Sequence, residues 1–142
     1  MRRANPARGP LALDLGLLLL RVAGGASMLV FHGWGKLTGG PDTWRRVGEA
    51  MGNLGLHAWP VVWGAAAAFA ESLGALLVLV GLFTRPAAGL LAITMLVAAL
   101  YHLNLPPASA GAGWQGASHA LELLGVFLAL ALAGPGRFAI RR

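Results

Sequence analysis

Residues 61–83 read VVWGAAAAFAESLGALLVLVGLF, a run of 23 positions with a single ionisable residue, Glu71. A helix that crosses the bilayer core needs about 20 mainly apolar residues. The run shows no period-two alternation, so a strand of a membrane barrel is excluded. It predicts a membrane-spanning helix. Three more stretches outward from it read the same way: residues 11–31 before it, then 86–103 and 117–133 after it. Pro86 stands in the first turn of its span, where a missing N–H costs nothing. The expectation is an all-α, integral membrane four-helix bundle forming one domain over residues 1–142.

Composition agrees. Hydrophobic residues make up 57% of the chain and charged ones 11%, with a mean hydropathy of +0.68. A soluble domain carries roughly a quarter of its residues as Asp, Glu, Lys and Arg. A chain this short also leaves much of its surface exposed, so lipid is the solvent that fits. The net charge of +6 does not point to nucleic acid. Its arginines flank the apolar runs, whereas a nucleic-acid binder gathers them on one face. Arg2, Arg3, Arg8, Arg85, Arg137, Arg141 and Arg142 fall on one side of the predicted spans, and Lys36, Arg45 and Arg46 on the other. Basic residues mark the inner side, so both termini are predicted to be cytoplasmic, with the chain in the inner cell membrane. Asp14 and Arg21 interrupt the first run, which argues for a retained span rather than a cleaved leader. No cysteine is present, which removes disulfides, thiol redox couples and iron–sulfur ligation.

The long connection Thr38–Pro60 holds Trp44, Val47, Met51 and Leu54 at helical spacing after a Pro41-Asp42 start. A short amphipathic helix is expected between spans one and two, lying on the outer face with Trp44 and Trp59 at the interface. The connection Leu105–Gly116 reads as a loop.

Each ionisable residue inside a span needs a reason, since burial at the bilayer centre costs at least about 2.5–3.5 kcal/mol. They are Asp14, Arg21, Glu71 and Glu122, with His32, Lys36, His102 and His119 near the outer ends. Glu71 and Glu122 precede Arg85 and Arg137 by 14 and 15 residues, placing each roughly 21–23 Å above the cytoplasmic anchors. Side chains lean toward their helix N-terminus, so histidines of upward helices and glutamates of downward ones converge. The expectation is a polar ligand-binding or proton-exchanging site in the outer half of the bundle, built from Glu71, Glu122, His32, His102 and His119. Lys36 is expected at its rim and Arg21 on the same face of span one. Structural pairing of these groups between helices is the competing reading. The strings beginning at Glu71 and Glu122 both follow E-x-L-G-x-x-L-x-L, which hints at a duplicated hairpin. His119 and Glu122, at i and i+3, are a weak alternative metal pair. Two histidines on a haem are weaker still.

These residues also form a recognisable set. Arg21-Val-Ala-Gly-Gly, Phe31-His32-Gly-Trp-Gly-Lys36-Leu, Glu71-Ser-Leu-Gly running to Gly81-Leu-Phe-Thr-Arg85, and Glu122 before Gly134-Pro-Gly-Arg-Phe together resemble the DoxX family of small four-span bacterial membrane proteins. The resemblance implies a membrane component of redox or stress systems, associated with a thiosulfate- or quinol-linked oxidoreductase, with Arg21, His32, Lys36, Glu71 and Glu122 as the matching polar positions. The expected function is redox-associated binding of a quinone-like or other small polar-headed ligand. No resident cofactor motif is present, so catalysis by the chain alone is not expected. Beyond the lipid bilayer, the expected partners are a soluble or membrane oxidoreductase and further copies of the chain. The alternatives are a scaffold that recruits a soluble enzyme, or a small proton-coupled transporter. The scarcity of broken helices argues against transport.

Overall fold

A computed structural model describes residues 10–140. The arginines at 2, 3, 8, 141 and 142, on which much of the orientation argument rests, lie outside the described residues. Helix α1 spans Leu11–Thr38, α3 Pro60–Val80, α4 Thr84–Asn104 and α5 Gly113–Ala133; all four are long and apolar enough to cross a membrane. Between α1 and α3 lies the short helix α2, Gly40–Gly48, continued by a 3-10 turn over Glu49–Leu54. No strand occurs among the described residues. The first span is longer than the apolar run suggests, because the helix carries on through Lys36 to Thr38. Its 28 residues rise about 42 Å, more than the roughly 30 Å hydrocarbon core.

Met28, Val78, Leu91, Phe127 and Leu130 are completely buried and form the centre of the bundle. The outward faces carry Leu19, Phe31, Ile93 and Leu132, each at least 60% exposed. An apolar exterior over an apolar core suits acyl chains and would aggregate in water.

Chain direction reverses in two ways. Between α3 and α4, Gly81 at φ 78° ends the helix, with Leu82 N–H donating to the Leu77 carbonyl. That is a Schellman closure, which satisfies carbonyls that would otherwise face lipid unpaired. Between α1 and α3, α2 folds back across the start of α3. Contact there is backbone to backbone: a Cβ at Gly64 would lie 1.7 Å from the Trp44 carbonyl oxygen, and one at Gly48 would lie 1.7 Å from that of Pro60.

Two helices are locally widened. Met28–Gly33 in α1 and Ala70–Gly74 in α3 are π-helical turns. They abut, and a Cβ at Gly33 would fall 2.4 Å from the Glu71 carbonyl oxygen. Such turns occur often at functional sites, because the extra residue re-aims the side chains around it.

Gly64→Ala is expected to destabilise the protein by about 1–3 kcal/mol or more, since the obstructing atoms are backbone. Gly16→Ala, at a helical position with nothing within 4 Å of the new Cβ, should raise stability slightly. Thermal unfolding of both variants in detergent, followed by monodispersity, measures the difference.

Candidate functional site

Glu71 leaves the π turn of α3 and is 1% exposed. Its carboxylate meets Lys36 Nζ at 2.5 Å, the Lys36 side chain being 25% exposed. The sequence places Lys36 at a rim; in the structure it reaches inward from the last turns of α1 and neutralises the buried carboxylate. The geometry follows from local features. Gly33 lets α1 touch the Glu71 backbone, and Lys36, three residues on, lies on the same face of the helix. Trp44 of α2 fixes the end of α1 by donating Nε1–H to the Lys36 carbonyl at 2.8 Å.

The pair opens on a cavity of about 570 Å³ between α3, α4 and α2. Glu71, Lys36, Arg46, Tyr101 and His102, with Thr43 and Thr94, supply its polar groups, and Ala66, Ala67, Ala70 and Val97 much of its apolar wall. Leu90 and Ile93, 55% and 60% exposed, also line it, so the cavity opens sideways between helices on the lipid-facing surface. A polar vestibule of about 450 Å³ adjoins it and shares Arg46 and Tyr101, adding Glu49, Asn53 and His57. His102 Nδ1 lies 2.8 Å from the Gly111 carbonyl. A carbonyl only accepts, so Nδ1 carries a proton, and in the neutral ring Nε2 is then the acceptor.

The other expected residues separate. His32, in the π turn of α1, and His119, on α5, approach to 3.1 Å between their Nε2 atoms. One nitrogen must donate and the other accept, so at least one proton lies between the two rings. Neither histidine lines the cavity. Glu122 is exposed on α5 and joins neither of the two ion pairs among the described residues. It does not meet Glu71. Among the described residues no group of three or more His, Asp or Glu side chains is placed to hold a metal ion, so His119 and Glu122 gather no third ligand.

Arg21 lies elsewhere and does different work. It is 1% exposed and donates Nε–H to the Val78 carbonyl at 2.9 Å and Nη2–H to that of Leu79 at 2.9 Å. Nη1 reaches the Pro135 carbonyl at 3.0 Å and that of Phe138. The guanidinium thus caps the last turn of α3 and holds the segment after α5 beneath it. Asp14 completes the clasp, accepting from Arg137 N–H at 2.9 Å and Nε–H at 2.8 Å. Residue types alone gave no means of seeing this, since the acceptors are main-chain carbonyls. Trp44, Arg46 and Tyr101 were likewise missed as site residues, although their place on an amphipathic helix and beside His102 was a usable signal.

The DoxX family model matches residues 16–104, which include Arg21, the His32–Lys36 segment and Glu71. The chain belongs to the DoxX family. It is 34% identical over 130 residues to the inner membrane protein YqjF of Escherichia coli (strain K12), covering 91% of this chain and 92% of that one. No solved structure matches it significantly. With four apolar spanning helices and this relative, the DoxX protein described here is a multi-pass inner-membrane protein.

Removing one member of the Lys36–Glu71 pair should be costlier than removing both. Lys36→Met strands a buried carboxylate, with an expected loss of about 3–5 kcal/mol. Lys36→Met with Glu71→Leu should recover most of it, because an apolar pair of similar volume needs no compensation. A double-mutant cycle of unfolding in detergent micelles reads the coupling.

Proposed function

We propose that this DoxX protein is a redox-associated membrane protein that binds a quinone-like, polar-headed amphiphile between α3, α4 and α2. The observation that carries the reading is an ion pair with a buried carboxylate on the wall of a mostly apolar cavity that opens toward lipid and holds a few further polar groups. The volume falls in the range of small-molecule sites, which are mostly apolar with a few placed polar groups. An amphiphile arriving from the bilayer would set its ring carbonyls toward Lys36 Nζ and Tyr101, and lay its tail along Ala66, Ala67 and Ile93. The free Nε2 of His102 would accept from a ring hydroxyl of the reduced form. Electrons would come from a partner oxidoreductase, because the chain carries no redox centre motif. Lys36 and Glu71 would serve as a proton donor and acceptor beside the head group. With the termini cytoplasmic, as the arginine distribution favours, this site faces the outer half of the membrane.

Lys36–Glu71 is also complete as a helix-to-helix contact, which favours the scaffold reading, and binding separates the two. Protein in nanodiscs is titrated with a short-chain quinone and its quinol. His102→Phe and Tyr101→Phe, which leave the ion pair intact, are expected to weaken binding on the order of tenfold, a loss of about one hydrogen bond to a desolvated group. Absence of saturable binding by the unaltered protein would overturn the ligand reading in favour of the scaffold.

A further inference from the structure

Among the described residues, helix α5 presents one strip of its surface to no other helix. Gln115, Ser118, Glu122, Gly125, Ala129 and Ala133 follow one another in steps of three or four, the spacing of a single helix face. All six are exposed. The other side of α5, with Leu123, Phe127 and Leu130, is buried in the bundle.

Two features of the strip do not suit a surface that meets only acyl chains. Glu122 is at the middle of the helix, about 14 Å from its first residue, where an uncovered carboxyl is most expensive. Below it, Gly125, Ala129 and Ala133 repeat at four-residue steps, and a Cβ at Gly125 would meet nothing within 4 Å. Small residues so spaced allow two helix backbones to approach closely within a membrane.

We propose that this strip is the contact between two copies of the chain, related by a two-fold axis along the membrane normal. The strip is complementary to itself. It holds an acceptor, Glu122, and donors one to two turns outward at Gln115 and the neighbouring His119, the Ser118 hydroxyl being spent on the Gln115 carbonyl of its own helix. In a parallel pair equal residues lie at equal depth, so the outer donors of each copy stand one to two turns from the carboxyl of the other. His119 is suited to the task, because its Nε2 is engaged with His32 and its Nδ1 is left for the second copy's Glu122. With Nδ1 carrying the proton, Nε2 accepts from His32. A two-fold contact makes each bond twice. A chain of unrelated sequence would have to bring both groups at matching depths. None of the six strip residues lines the cavity, so this inference does not rest on the ligand reading.

The chain has no cysteine, which makes disulfide trapping clean. Ala129→Cys in the native membrane, under mild oxidation, is expected to give a covalent dimer. Leu19→Cys, on the outward face of α1 at 68% exposure, should give none. In liposomes, energy transfer between labelled copies should show association weakened on the order of tenfold by Glu122→Ala, and likewise by Gly125→Leu. Unchanged melting of the dilute variants serves as the fold control. The proposal is overturned if Ala129→Cys links no better than Leu19→Cys, if it links only to a different protein, or if copies remain independent at every protein-to-lipid ratio.

Discussion

A buried carboxylate in an apolar bundle cannot be left alone, and Glu71 with Lys36 is the answer this fold gives. Water does not solvate charge within the hydrocarbon layer, so the partner must come from the protein itself. The partner belongs to a different helix, which makes the pair a constraint on tertiary structure. To bring Nζ to 2.5 Å, α1 must run well past its apolar stretch and lie close to α3 at the level of Glu71. That approach in turn needs the bare backbone of Gly33 against the Glu71 carbonyl, and π turns on both helices at the contact. The cavity beside the pair follows from the same arrangement, since α2, tethered by Trp44 to the end of α1, roofs the space between α3 and α4.

At the opposite end of the bundle the same physics takes a different form. Arg21 is as deeply buried as Glu71, yet among the described residues no carboxylate pairs with it. Its donors are met by four main-chain carbonyls, two at the end of α3 and two in the segment after α5. Helix ends leave carbonyls unpaired, and a fork of five N–H donors can serve several of them together. A charged residue within a span is here a structural clasp, with Asp14 and Arg137 as its second tie. One group of polar residues thus borders a cavity and another closes the base, while His32, His119 and Glu122 belong to neither.

Most of the architecture was legible without coordinates. Run length and hydropathy gave four spans, and the spacing of Trp44, Val47 and Met51 gave the short helix between the first two. These are local properties, in which a residue's contribution depends on its neighbours along the chain. The polar site was legible only in part. Glu71 and Lys36 stand out because charge is rare in such a sequence. Their pairing was less visible, because a depth estimate assuming regular 3.6-residue turns does not anticipate two π turns. Arg46 and Tyr101 enter the site through the fold of α2 and the end of α4, which no periodicity encodes.

The contrast between Glu71 and Glu122 separates what composition determines from what packing decides. Both begin the pattern E-x-L-G-x-x-L-x-L, on helices of equal length and similar hydropathy. By itself the sequence determined that each would lie within a membrane-spanning helix. Whether the carboxyl turns inward or outward is a matter of rotation about the helix axis, and one residue changes it by about 100°. In α3 the buried face contains Glu71, Gly74 and Val78; in α5 it contains Leu123, Phe127 and Leu130, one to two positions over. Only the surrounding helices select that rotation, because an apolar helix has no strongly preferred face until a neighbour supplies one.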